Sequence, residues 1–121
     1  MEIRVGEYIR TLDGIKKIVK INEGKLSTYY GKYIVSPEYK NSKSINVKNI
    51  IKASFNIINL IEEDDYVNGM RVSYVRFPND SYEPTEIYVL DKDINFIFAS
   101  DIESVVTHEQ MEAMEYVVKE G

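Results

Sequence analysis

The sequence predicts a mainly β fold of the α+β class, with small twisted antiparallel sheets or SH3-like barrel units and one short C-terminal helix near residues 108–114. Three observations support this prediction. Apolar residues recur with a period of two rather than 3.6 along most of the 121 residues. Asp13-Gly14 and Asn68-Gly69 stand between apolar runs, and both dipeptides favour hairpin turns. Only THEQMEAMEYVVKEG, residues 107–121, shows helical spacing.

The first half of the chain is predicted to form short strands separated by turns. Beyond the Asp-Gly hairpin, residues 25–35 are expected to form strands on both sides of a central glycine. The polar segment 36–48 contains a proline and is predicted to be a long loop. Residues 49–53 are predicted to form a strand. Residues 55–59 are interpreted as irregular or a single turn before the next strand, because β-branched residues dominate the apolar stretch, and the choice between helix and strand over 55–61 is left open.

The second half repeats this pattern of hairpins. Loop 78–85 follows the Asn-Gly hairpin, and a further hairpin comes next with an acidic turn at 91–95. Residues 102–107 are predicted to be a short strand. Thr107 and Gln110 have the spacing of a capping box, which predicts that the C-terminal helix begins there.

Strict alternation predicts which side chains point inward. Along the strand after the Asn-Gly turn, Met70, Val72, Tyr74 and Arg76 are expected to share one face. The predicted fold as a whole gives an expected core of Val5, Ile9, Ile18, Ile21, Ile34, Ile51, Ile58, Leu60, Val67, Val72, Val75, Ile87, Val89, Ile97, Val105 and Met111.

Two segments of the chain share a pattern. GEYIRTLDGIKKIVKI and DDYVNGMRVSYVRF both have an acid, a tyrosine, an aliphatic residue, a glycine turn and a basic alternating strand. Both resemble the opening hairpin of an SH3-like barrel, which predicts two tandem half-barrel units. The length fits a single compact domain over 1–121, with half-units at 1–53 and 60–121.

Charge is distributed unevenly between the two halves of the chain. Residues 1–60 carry 11 Lys/Arg and 5 Asp/Glu, a net charge of +6, whereas residues 61–121 carry 4 and 15, a net charge of −11. Such blocks indicate solvated faces, a two-sided electrostatic surface, or head-to-tail association between copies. The net charge of −5 argues against a general nucleic-acid binder.

Several functional classes are disfavoured by what the sequence lacks. Without Cys there is no disulfide framework and no thiolate metal site. Neither a leader-like apolar segment nor a run long enough to span a membrane is found, so we expect a cytoplasmic protein in a host cell. No phosphate-binding loop, metalloprotease, hydrolase or dinucleotide motif occurs, so the sequence predicts neither catalytic residues nor a metal or cofactor.

The acidic run Glu62–Asp65 is the first candidate site. Alternation sends neighbouring side chains to opposite faces, so the run lacks the paired arrangement of an acid–base site. It is interpreted as the exposed, solubilising lead-in to a hairpin, or else as part of an acidic partner-binding patch. The candidate patch consists of Glu62, Glu63, Asp64, Asp65, Glu83, Glu86, Asp91 and Asp93.

The basic half offers an alternative surface. Lysines interleaved with tyrosines resemble a stacking surface for single-stranded nucleic acid, although snorkelling lysines on an ordinary sheet give the same pattern. The residues of this candidate nucleic-acid face are Lys16, Lys25, Tyr30, Lys32, Tyr39, Lys40 and Lys43. His108, the single histidine, is expected to lie exposed beside the helix cap.

The segments SFNIINLIEEDDYVNGMRV and DIESVVTHEQMEAMEYVVKEG resemble parts of small proteins encoded by phages and prophages of Firmicutes, Clostridia above all. The resemblance implies no catalytic residue. It implies a context in which small acidic proteins inhibit host defences, as anti-CRISPR proteins do by binding a CRISPR nuclease.

The sequence therefore predicts three alternative functions. The first is a non-enzymatic inhibitor of a host defence that acts by protein–protein binding through an acidic surface. The second is a nucleic-acid-binding β module that uses the basic half. The third is a structural or assembly protein of a mobile element that associates with itself.

Overall fold

The computed structural model describes residues 3–79 and 83–114, apart from the side chain of Tyr39. Its contacts divide the chain into two compact units, Met1–Ile61 and Glu62–Gly121, called here the basic unit and the acidic unit. Each contains one five-stranded antiparallel sheet, which confirms the mainly β prediction. The sheets are open rather than closed into SH3-like barrels. The expectation of one domain over the whole chain stays a prediction.

The sheet of the basic unit has the strand order β4-β3-β2-β1-β5. Thr11 pairs with Gly14, so Leu12 and Asp13 form the first hairpin loop, one residue earlier than predicted. Gly14, with φ 109°, begins the second strand. The strands are β1 (Tyr8–Thr11), β2 (Gly14–Ile21), β3 (Tyr33–Tyr39), β4 (Ser42–Ile45) and β5 (Lys52–Ser54).

Two segments of the basic unit differ from the sequence-based assignment. Residues Lys25–Tyr30 form a short helix, α1, where a strand was expected. Gly24 and Gly31 flank it with φ 56° and 84°, values that interrupt an extended chain at both ends. The polar segment 36–48 is largely the β3–β4 hairpin, because Lys40 and Asn41 take positive φ and turn the chain.

Arg10 is buried on the face of β1 opposite the main core of the basic unit. It is fully buried, and its Nη1 donates a hydrogen bond of 2.8 Å to the carbonyl oxygen of Leu60. Leu60 ends the 3-10 turn Ile57–Leu60, which overlaps the single turn predicted over 55–59 and extends one residue beyond it. On the opposite face the core comprises Ile3, Ile9, Ile18, Tyr33, Val35, Ile45 and Ile50.

The sheet of the acidic unit has the order β10-β6-β7-β8-β9. Val67 pairs with Met70, which confirms the two-residue Asn68-Gly69 turn; both residues have positive φ, as this turn requires. The strands are β6 (Tyr66–Val67), β7 (Met70–Arg76), β8 (Glu86–Val89), β9 (Phe96–Phe98) and β10 (Val105–Val106).

A short helix, α2 (His108–Met114), follows β10 where the sequence predicts it. The capping box is confirmed, because the Thr107 hydroxyl accepts from the Gln110 N–H and the Gln110 side chain accepts from the Thr107 N–H. The part of the helix prediction that covers 115–121 lies outside the described residues. Within the described ranges, no helix has the length and hydropathy to cross a membrane.

A bulge in β7 changes which side chains share a face. The register with β8 shifts between Val72 and Tyr74, so Val72 is fully buried while Tyr74 and Arg76 face solvent. The predicted common face from Met70 to Arg76 is therefore wrong, because one extra residue reverses the alternation.

Half of the predicted core residues are buried, namely Ile9, Ile18, Ile58, Leu60, Val67, Val72, Ile87 and Val89, and the rest are only partly buried or exposed. Tyr33 and Val35 are buried, whereas the predicted Ile34 between them is only partly so. Likewise Ile50 is buried and the predicted Ile51 is exposed. Two further predicted core residues, Val5 and Met111, are also exposed.

Replacing Arg10 by Met is expected to lower the free energy of unfolding by about 1–3 kcal/mol, because the buried Leu60 carbonyl loses its donor. Urea denaturation measures this. The matched control is Lys20→Met, which changes an exposed cation of β2 and should shift stability by about 0.5 kcal/mol at most. Equal effects of the two substitutions would contradict the structural role of Arg10.

Candidate interaction surfaces

Asp65 is a buried structural carboxylate, although the sequence predicted it to be exposed. Its side chain is fully buried. Oδ2 accepts a hydrogen bond of 2.7 Å from the Glu62 N–H, and Oδ1 accepts one of 2.9 Å from the His108 N–H at the start of α2. Asp65 therefore joins the segment before β6 to α2, and its side chain is not available to a partner.

The other three acids of the run have different surroundings. Glu63 is exposed. Asp64 has φ 72°, and its Oδ1 accepts from Arg71 at 2.9 Å (Nε) and 2.7 Å (Nη2). The side chain of Glu62 is about one-third exposed and lies beside His108. The run is thus a set of four distinct environments rather than one solvated strip.

His108 lies within a group of carboxylates. Its Nε2 is 3.5 Å from Oε1 of Glu62 and 3.7 Å from Oε2 of Glu109, and its Nδ1 is 3.6 Å from Oε1 of Glu112. Among the described residues, Glu62, His108 and Glu109 have ligand atoms within 4.8 Å of one another, so these three residues could hold a divalent cation. The same arrangement also suits a protonated imidazole, since carboxylates face both of its nitrogens.

Four aromatic side chains form a continuous row across the exposed face of β7, β8 and β9. Tyr74 stacks on Tyr88 with ring centroids 4.5 Å apart and an interplanar angle of 8°. Tyr88 is 5.5 Å from Phe96, which in turn is 5.3 Å from Phe98. Tyr74 is 52%, Phe96 36% and Phe98 38% exposed. We call Tyr74, Tyr88, Phe96 and Phe98 the aromatic row.

The predicted acidic residues beyond the run border this row at two places. Arg76 pairs with Glu86 and lies 3.7 Å from Glu83. Beyond the other end of β8, Asp91 accepts hydrogen bonds from the N–H groups of Asp93 and Ile94 in the β8–β9 turn. The candidate acidic patch is thus divided between the run before β6 and the two ends of the β8–β9 hairpin.

The candidate nucleic-acid face is also divided. The side chain of Lys16 is only 3% exposed; it donates to the Glu38 carbonyl oxygen and pairs with Asp13, so the expectation that it lies on an open face is wrong. The other described members lie near the two ends of β3, whose seven residues span roughly 20 Å. Lys25, Tyr30 and Lys32 are exposed near one end, and Lys40 and Lys43 near the other, while the Tyr39 side chain lies outside the described residues.

Two open grooves include some of the candidate residues in their walls. One, of about 470 Å³ in the acidic unit, is lined by Asp64, Tyr66, Arg71, His108, Met111 and Glu112. The other, of about 280 Å³ in the basic unit, is lined by Lys40, Ser42, Ser44, Ile45, Asn46 and Asn49. Polar side chains predominate in both, so neither resembles the mostly apolar pocket of a small-molecule site.

Comparisons with known proteins find no matching family model, no matching curated protein and no matching solved structure. The aromatic row was not predicted from the sequence. Its signal is an aromatic residue at alternate positions of β9 and a tyrosine opposite Phe96 on β8, but the β7 bulge hides the place of Tyr74 in the row.

Replacing Asp65 by Asn is expected to lower the free energy of unfolding by about 1–3 kcal/mol, because the oxygen and nitrogen of an amide cannot both accept from the Glu62 and His108 N–H groups. Urea denaturation measures this, and hydrogen exchange at the Glu62 and His108 amides should accelerate. Glu63→Gln removes an exposed charge from the same run and serves as the control. Unchanged stability and exchange in Asp65→Asn would contradict the assignment.

Tyr88 is expected to ionise above the usual range for tyrosine. Partial burial in the row raises its pKa, and the negative charge of Glu86 adds to the effect. The folded state favours the neutral phenol, so its stability is unaffected well below pH about 10 and falls as the pH rises through the raised pKa. The difference between the phenolate titrations of wild type and Tyr88→Phe measures this. A midpoint at or below that of free tyrosine would contradict it.

Proposed function

We propose that this chain is a non-enzymatic binding protein whose acidic unit occupies a basic surface of a host protein. Together with the resemblance to phage and prophage proteins, this makes it an inhibitor of a host defence, acting in the host cytoplasm as anti-CRISPR proteins do. A CRISPR nuclease is the kind of partner that fits, because its nucleic-acid channel is positively charged.

The observation that carries this proposal is the agreement between charge and fold. The boundary between the two compact units lies between Ile61 and Glu62, which is also where the charge changes sign. The net charge of −11 therefore belongs to one separately packed body instead of being averaged over the chain. A predominantly negative surface of this kind speeds association with an opposite charge and disfavours like-charged partners.

Some carboxylates of the acidic unit make structural contacts, and others are exposed to solvent. Asp65 is buried, and Asp64 pairs with Arg71. The exposed acids include Glu63, Asp93 and Glu103. Exposed carboxylates of this kind supply the long-range attraction that the proposal needs.

A nucleic-acid-binding role for the basic unit receives less support. Its predicted face is divided between the two ends of β3, and Lys16 is buried. Phosphate binding gains affinity from several cations acting on one backbone, which a divided face supplies poorly.

The test is complex formation with a panel of purified CRISPR nucleases from Firmicutes, followed by size-exclusion chromatography at low and high salt. We expect a complex at about 50 mM salt that weakens steeply toward about 500 mM, as the Debye length shortens. A gel shift with single- and double-stranded DNA and RNA tests the alternative. No complex with any nuclease at low salt would overturn the proposal.

The matched variants compare exposed charges in the two units. The triple variant Glu63→Gln, Asp93→Asn, Glu103→Gln should bind about tenfold more weakly, mainly through slower association. The control variant Lys25→Gln, Lys43→Gln, Lys48→Gln changes three exposed cations of the basic unit and should bind like wild type. The reverse result would favour the basic unit as the interface.

A further inference from the structure

The aromatic row is more exposed than a role in sheet stability requires. Cross-strand aromatic pairs stabilise sheets when rings pack against one another, and the Tyr74–Tyr88 stack does this. The buried side of this sheet lies on the opposite face, where Val72, Ile87 and Val89 are. Since Tyr74, at 52%, and Phe98, at 38%, keep much of their surface in water, the row has the character of an interaction site.

The shape of the row suits an extended chain. Tyr74, Tyr88 and Phe96 follow one another across three neighbouring strands with centroid separations of 4.5 and 5.5 Å, and Phe98 lies 5.3 Å from Phe96, two residues further along β9. At about 3.3 Å per residue, a strand-like segment of roughly four residues that crosses the three strands could contact Tyr74, Tyr88 and Phe96, with Phe98 beside its end at β9. Alternate side chains of such a segment would face the row.

The charge around the row selects cationic side chains. Glu83 and Glu86 lie at one end of β8, where Arg76 offsets one of their two charges, and Asp91 and Asp93 follow its other end, within a unit of net charge −11. Aromatic faces attract cations, and a planar guanidinium can stack on a ring while it donates to a carboxylate. Elsewhere in the chain, the guanidinium of Arg4 already lies 4.9 Å from the ring centroid of Phe55. A nucleic acid would also offer rings for stacking, but its phosphates would be repelled.

We propose that the aromatic row is the docking surface for an extended, arginine-bearing segment of a partner protein. Guanidinium groups of that segment lie on the ring faces, and the carboxylates beyond the two ends of β8 attract them, with Glu86 itself already paired with Arg76. This inference rests on the proposed function, because it names the part of the acidic unit that a basic partner contacts.

The probe is a fluorescein-labelled nine-residue peptide of alternating Arg and Ser, titrated into the full chain and followed by fluorescence anisotropy. Two peptides of the same length replace Arg by Lys or by the neutral isostere citrulline. We expect saturable binding of the Arg peptide, binding of the Lys peptide several-fold weaker, and no binding of the citrulline peptide. Equal binding of the Arg and Lys peptides, or no binding of the Arg peptide at low salt, would overturn the proposal.

The variants distinguish binding that needs aromatic ring faces from binding that needs only exposed apolar surface. Tyr74→Leu combined with Phe98→Leu keeps apolar side chains but removes two ring faces, and should weaken binding of the Arg peptide about tenfold. Phe98→Leu alone leaves the Tyr74–Tyr88 stack in place and should give a smaller loss in the same direction. The control Phe77→Leu removes an aromatic residue that is 55% exposed but lies outside the row, and should bind like wild type.

Thermal unfolding of each variant establishes that it is folded before binding is compared. If the row variants bind like wild type, or if Phe77→Leu is weakened as much as they are, the row is not the docking surface.

The nuclease experiment distinguishes this inference from the proposed function. Row variants that retain nuclease binding while the charge variant loses it would overturn the inference and leave the proposed function standing. Binding of the Arg peptide to the row without any nuclease complex would overturn the proposed function and support a different basic partner.

Discussion

The register shift in β7 determines which side chains of the acidic unit meet solvent. Side chains alternate along a strand, so a single extra residue between Val72 and Tyr74 reverses every position beyond it. Val72 consequently joins the buried face, and Tyr74 and Arg76 join the face that carries the aromatic residues of β8 and β9. Without this shift, Tyr74 would point inward and its stack with Tyr88 would not form.

The carboxylates of the acidic unit have two roles: some hold the fold together, as the buried Asp65 does, and others charge the surface. Two backbone N–H groups that belong to distant parts of the unit converge on the Asp65 carboxylate. A buried carboxylate is costly unless its oxygens receive such donors, so this acid is committed to structure. Its neighbour Glu63 is exposed and contributes only to the field of the surface. Adjacent acids in one sequence run thus differ in role because their backbone positions differ.

Features set by local chemistry were predictable from the sequence, and features set by distant partners were not. The Asn68-Gly69 turn and the Thr107 capping box depend on residues close in sequence, and both are confirmed. Burial of Arg10 depends on a carbonyl 50 residues away, and burial of Asp65 on an amide 43 residues away, so a local pattern contains no sign of either. Of the candidate sites, the acidic character was predictable from composition, whereas the aromatic row required the bulge to be known.

Charge and aromatic surface contribute differently to recognition, which explains why one unit would carry both. A net charge of −11 acts over about a Debye length and accelerates encounter with any basic surface, but it selects weakly among such surfaces. Ring faces act only at contact and depend on the shape of the cation, so they discriminate between a planar guanidinium and an ammonium. The solvent-facing side of these rings makes no contact that stabilises the sheet. A partner that covers the rings would bury this exposed apolar surface. The carboxylates nearby favour a partner that is cationic.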